Sequence, residues 1–154
     1  MILKEIDLFK GIDYAIMEQI ADICVEEIFK KDDRIFEKGE VADCLYILVE
    51  GGLKLVVENG ASLNFSLTEP GTIFGWSSMA ESGKYTSSGV CATDLKTVKI
   101  DRNKLDTIFK HHPEAGFQVL RRLMDVFSDR LLNAYRAHLD LLVSKGSQTK
   151  PSYG

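Results

Sequence analysis

Between Glu26 and Ile100 no apolar run has room to become a helix before the next turn signal, and that spacing governs what the chain can fold into. Ile28-Phe29 and Ile35-Phe36 read as strand cores. Leu45, Ile47 and Val49 alternate with Tyr46 and Leu48, and Leu53, Leu55 and Val57 alternate with Lys54 and Val56. Gly51-Gly52 separates these two runs as a hairpin turn. Asn59-Gly60 is a stronger hairpin signal, because both residues tolerate the positive φ of tight turns, and Leu63, Phe65 and Leu67 form the returning strand. Pro70-Gly71 turns the chain before Ile73-Phe74, and segments around Val90 and 97–100 bring the total to about eight short strands. A parallel α/β fold needs a crossover helix between strands. The expected fold is therefore mainly β with flanking helices: a double-sheet jelly roll (double-stranded β-helix) or barrel.

Helical spacing flanks this region on both sides. Asp13 is placed to cap a short first helix, with Ile16, Ile20, Ile23 and Cys24 recurring along it. Residues 102–110 form a second candidate helix. Pro113 suits the first turn of a third, where its missing N–H costs nothing. Along the third helix Phe117, Leu120, Met124, Phe127, Leu131, Ala134, His138 and Leu141 recur in alternating steps of three and four, a heptad seam ending near Gly146. A helix covering its own domain needs only a broad apolar stripe. A strict seam predicts pairing with a second helix, most simply the same helix of a second chain in a homodimer. His138 reads as a polar interruption of the seam near the solvated helix end. The expected organisation is one domain over 1–143, with the strands at about 26–100 and the dimer helix at about 113–143. A disordered tail is expected over 144–154.

Composition narrows the chemistry. The 154 residues carry a net charge of −4, so the overall field does not favour nucleic acid or membrane. No apolar run reaches the roughly 18–20 residues of a membrane span, and no signal core opens the chain. Cys24, Cys44 and Cys91 are odd in number and widely spaced, which fits reduced thiols and a cytoplasmic setting better than disulfides or a metal knuckle. His111, His112 and His138 all fall outside the strands, so no metal site is expected. Gly75-Trp76-Ser77-Ser78 ends in Met79 where a nucleophile elbow needs Gly, and an enzyme is not expected. Arg121, Arg122, Arg130 and Arg136 are offset by Asp125, Asp129 and Asp140, and Arg121–Asp125 has i,i+4 spacing.

One stretch carries a resemblance. Gly39-Glu40-Val41-Ala42, two residues, Leu45-Tyr46-Ile47-Leu48, two residues and Gly51 resemble the first motif of Crp/Fnr-type cyclic-nucleotide-binding domains, with Phe36 larger than the family's usual residue. The likeness covers roughly residues 8–143. It implies a second motif that holds the nucleotide. Phe74, Gly75, Ser78 and Met79 match its first half and Thr86 its second, with Ser77 at the variable place and Ser87 standing for Ala. Trp76, however, takes the place of a Glu that would accept a bond from the ribose 2′-hydroxyl. Tyr85 takes the place of an Arg that would pair with the cyclic phosphate.

Each lost charge-assisted hydrogen bond costs about 1.5–3 kcal/mol, so losing both weakens binding by two or more orders of magnitude. Tight binding of cAMP or cGMP is not expected. Two readings stay open at this stage. In one, the Ser77 and Ser78 amides at a helix start, the hydroxyls of Ser77, Ser78, Tyr85, Thr86 and Ser87 and the face of Trp76 hold a different flat, nucleotide-like small ligand, and the chain is a dimeric sensor acting on another protein. In the other, Trp76 and Tyr85 fill the pocket with their own side chains, and the chain is a ligand-free interaction or scaffold module. The family often continues into a helix-turn-helix. This chain stops soon after the long helix, so direct sequence-specific DNA binding is not expected.

Overall fold

The structure is a computed structural model that describes residues 3–60 and 62–148. It comprises two compact units, one ending at Gly116 and the other beginning at Phe117. In the first, helix α1 (Tyr14–Ile23) leads into β1 (Cys24–Phe29), β2 (Arg34–Phe36), β3 (Cys44–Glu50), β4 (Leu53–Glu58), β5 (Ser62–Leu67), β6 (Ile73–Phe74), β7 (Ser88–Cys91) and β8 (Leu95–Asp101). Helices α2 (Arg102–His111) and α3 (Pro113–Gln148) follow. The strands form two antiparallel sheets of four, in the orders β1-β8-β3-β6 and β2-β7-β4-β5. This is the expected jelly roll with flanking helices.

Alternation decides what each face of the first sheet does. Cys44, Tyr46 and Leu48 of β3 and Leu95 of β8 point between the sheets and join Phe36, Leu53, Leu55, Phe74, Tyr85 and Cys91 in one buried cluster. Leu45, Ile47 and Ile100 are equally buried but alternate onto the opposite face of the sheet. The Leu45–Leu48 quartet is thus buried on both faces of the sheet. Asp101 ends β8 and caps α2, its carboxylate accepting from the Lys104 N–H at 2.9 Å. Asp13 occupies the cap position of α1, but its side chain makes no cap hydrogen bond.

Two expectations need correction. Gly51-Gly52 does not close a hairpin: β3 pairs with β6 and β8, whereas β4 pairs with β5 and β7. The diglycine is a corner at which the chain leaves one sheet for the other. Gly51 sits at φ +98°, and a Cβ there would collide with the Asp94 carbonyl oxygen. Asn59-Gly60, by contrast, does join paired strands β4 and β5. The expected disordered tail also starts too early, because α3 continues through residues 144–148 and residues 149–154 lie outside the described ones. Lys145 in the last turn suits the negative end of the helix, and a single glycine, Gly146, does not stop it.

Replacing Gly51 by Ala is expected to cost at least about 2 kcal/mol in urea denaturation, from positive-φ strain plus the backbone collision. Gly39→Ala, at φ +90° with open space around it, is expected to cost only about 1 kcal/mol. Equal losses would contradict the corner packing.

Candidate functional site

The site is built where β6 ends. Gly75 follows Phe74 in the left-handed region (φ +71°), and the chain then makes a four-residue 3-10 turn, Trp76–Met79. A Cβ on Gly75 would lie 2.9 Å from the Tyr46 ring and 3.1 Å from the Cys44 carbonyl oxygen, so glycine lets this turn sit directly on β3. The Ser78 N–H donates to the Gly75 carbonyl oxygen at 3.2 Å, so that amide is committed to the turn and does not stand free for an anion. Ser77 and Ser78 are buried, and the Ser78 hydroxyl has no hydrogen-bond partner. Trp76 and Met79 are half-buried.

The second half of the motif is fixed by backbone pairing. The Tyr85 N–H donates to Glu40 O at 3.0 Å, and the Gly39 N–H donates to Tyr85 O at 2.8 Å. The Ala42 N–H reaches Gly83 O, and Val41 bridges to Lys84. Gly83 leaves room for the Arg102 guanidinium, which a Cβ would meet at 2.5 Å. With the segment held in this register, Tyr85 is buried, Ser87 is half-buried, and Lys84 and Thr86 are exposed. The hydroxyls of Tyr85 and Thr86 therefore do not share one pocket.

Tyr85 is a core residue. Its ring stacks on Phe36 at 4.0 Å between centroids and 17° between planes. Its hydroxyl donates to the Cys44 carbonyl oxygen at 2.9 Å. Tyr46 stacks on Phe74 at 5.1 Å and 8°, and Phe36 lies 6.0 Å from Tyr46 and 6.3 Å from Phe74, which makes a four-ring cluster between the sheets. Gly89 completes it: a Cβ there would meet the Phe36 ring at 3.0 Å. Phe36 is the stacking partner of Tyr85, and Gly89 is the further residue that sequence reasoning did not single out.

Burial raises the Tyr85 and Tyr46 phenols above their usual range and holds the Cys44 and Cys91 thiols at about 11. All four are therefore neutral near pH 7.

In the second unit, the seam residues Phe117, Leu120, Met124, Leu131, His138 and Leu141 are exposed, whereas Phe127 and Ala134 are half-buried. The buried residues of this stretch are Val119 and Leu123, off the seam. Arg121 lies over the Phe117 ring at 5.8 Å.

Two predictions come from the ring cluster. Tyr85→Phe removes the donor to Cys44 and is expected to cost about 1 kcal/mol by urea denaturation; no loss would mean that the hydroxyl is not held there. Groups whose folded values are raised stabilise fully below their unfolded values, about 9 for a thiol and about 10 for a phenol, and that stability is lost as pH rises past them. The urea midpoint should fall between about pH 9 and pH 11, and a constant midpoint across that window contradicts burial of these groups.

The cyclic nucleotide-binding domain family matches residues 26–112, more than half of the chain. A CRP-like cAMP-activated global transcriptional regulator of Mycobacterium tuberculosis is 27% identical over 124 residues, 79% of this chain and 55% of that one. The chain thus spans about half the length of that relative. A crystal structure described as a cyclic nucleotide-binding protein from Geobacter metallireducens aligns with a TM-score of 0.75 and 27% identity, covering 84% of this chain and 95% of that one. The regulatory subunit of a cAMP-independent protein kinase A from Trypanosoma brucei has a similar fold, with a TM-score of 0.72 and 20% identity over 90% of this chain and 49% of that one. The match from Glu26 in β1 to His112, which runs over the strands of both sheets, carries the assignment: the chain belongs to the cyclic nucleotide-binding domain family.

Proposed function

We propose that this chain is a regulatory module of its family in which the nucleotide space is taken up by the protein's own aromatic rings, and that it acts as an interaction module without holding cAMP tightly. The observation that carries the reading is the Tyr85–Phe36 stack, closed by the hydrogen bond from Tyr85 to Cys44. A cyclic phosphate placed beside Tyr85 meets no cation from the motif. It would also have to break a satisfied, buried contact without bringing compensation.

The module's output runs through α3. Its apolar seam is largely exposed in the single chain, and pairing with the α3 of a second copy buries it. The regulatory role rests on the family. The downstream partner and a cytoplasmic setting remain part of the proposal, and among the described residues no helix is long and apolar enough to cross a membrane.

A second reading keeps a ligand. It is favoured by the buried Ser78 hydroxyl without a partner, beside half-buried Trp76. Thermal unfolding against cAMP, cGMP, cyclic dinucleotides and other nucleotides separates the two. A ligand at a hundredfold excess over its dissociation constant adds about 2.7 kcal/mol, a rise of several degrees for a domain of this size. No shift with cAMP or cGMP is expected. A shift with either that disappears in Tyr85→Phe overturns the filled interior, and a shift with another nucleotide that disappears in Trp76→Ala supports the second reading instead.

A further inference from the structure

The two sheets end in four edge strands, β1, β6, β2 and β5. An edge presents a row of backbone N–H and C=O groups without a strand beside them, and folded proteins guard it with short length, charge, proline or a bulge. Three of the four edges are guarded in these ways. β6 has two residues, β2 has three with a register shift against β7, and β1 carries Glu26 and Glu27. β5 has none of these devices. Its six residues, Ser62-Leu63-Asn64-Phe65-Ser66-Leu67, include no charge and no proline, and they pair with β4 at every position without a shift. Among the described residues its other side meets no strand.

The two faces of β5 differ. Phe65 and Leu67 pack against the buried cluster between the sheets, and Leu63, which alternates onto the same side, is 47% exposed. Ser62, Asn64 and Ser66 are exposed on the outer face, beside Glu58, Val56 and Lys54 of β4. The strand is thus already formed, with main-chain groups to bind an added strand and alternate side chains to set its register.

We propose that β5 is a self-association edge, to which β5 of a second copy adds antiparallel about a two-fold axis through Asn64, joining two four-stranded sheets into one of eight. Directly opposite residues of an antiparallel pair share a face, so the axis must pass through a residue, and Asn64 and Phe65 are the central choices. Charge decides between them. With the axis at Asn64, Ser66 faces Ser62 of the other copy, and Lys54 of each copy shares a row with Glu58 of the other. Leu63 then meets Phe65 of the other copy, twice over, as an aliphatic–aromatic cross-strand pair. With the axis at Phe65, Lys54 shares its row with Val56 and the opposite charges do not meet. The same complementarity favours a second copy over an unrelated extended peptide, because one hairpin supplies both signs at matching places. Six paired residues bury less than the ~800 Å² per partner of a standard interface, so the contact is reversible. It uses no residue of α3 and does not depend on whether α3 pairs.

The test is mild oxidation of the full chain carrying one added cysteine, with wild type alongside for the native thiols and each variant checked for the wild-type urea midpoint. In the proposed register, cysteines replacing Asn64 in the two copies lie about 4.5–5.5 Å apart between Cα atoms, within disulfide range. Ser62→Cys is equally exposed, but its two copies are offset by four residues, roughly 13 Å along the strands. Asn64→Cys is expected to form a covalent dimer at least about tenfold faster than Ser62→Cys alone, and Ser62→Cys mixed with Ser66→Cys should cross-link as readily as Asn64→Cys. Asn64→Cys that cross-links no faster than Ser62→Cys overturns the pairing. A mixture of Asn64→Cys with Ser66→Cys that yields mainly the mixed dimer overturns the register.

Discussion

The ring of Tyr85 lying on Phe36, with its hydroxyl on the Cys44 carbonyl, is the contact on which the rest of the first unit depends. It joins three elements distant in sequence: the segment after Gly83, strand β2 and strand β3. Each neighbour is adapted to it. Gly89 is bare so that the Phe36 ring has room, Gly75 is bare so that the 3-10 turn clears Tyr46, and the pairing of residues 39–42 with 83–85 fixes which way Tyr85 points. An arginine in the same place needs an anion or a carboxylate to offset the loss of its hydration. Tyrosine needs one acceptor, and the strand supplies it. The interior around Tyr85 is thereby a neutral aromatic core.

That exchange links packing to function. A domain of this family reports on a nucleotide when binding favours one of two arrangements, and a ligand shifts a balance only by its differential affinity for the two. On the proposed reading, the linked rings of Phe36, Tyr46, Phe74 and Tyr85 leave the interior little to gain from a cyclic phosphate. On the same reading, the exposed apolar residues of α3 are the surface left for a partner helix.

Much of the fold was legible in the sequence because turn residues and alternation are local signals. Asn59-Gly60 marked a true hairpin, and Pro113 marked a helix start. Gly51-Gly52 looked the same but was not, because whether two strands separated by a diglycine pair or diverge depends on which other strands they meet. Here β3 finds β8, and β4 finds β7. The stack that holds Tyr85 was not legible, since Phe36 and Tyr85 lie far apart in sequence and only the sheet topology joins them. Along α3, steps of three and four were read as a heptad.

The most direct measurement is the ionisation of Tyr85 itself, followed by NMR of tyrosine labelled at Cζ, with Tyr85→Phe used to assign the resonance. In the folded protein a ring stacked on Phe36 and bonded to Cys44 stays protonated at about pH 11, beyond the usual phenol value of about 10. A Tyr85 resonance that titrates near pH 10 while the protein remains folded would place that ring in water, leave the space between the sheets open, and contradict the filled interior.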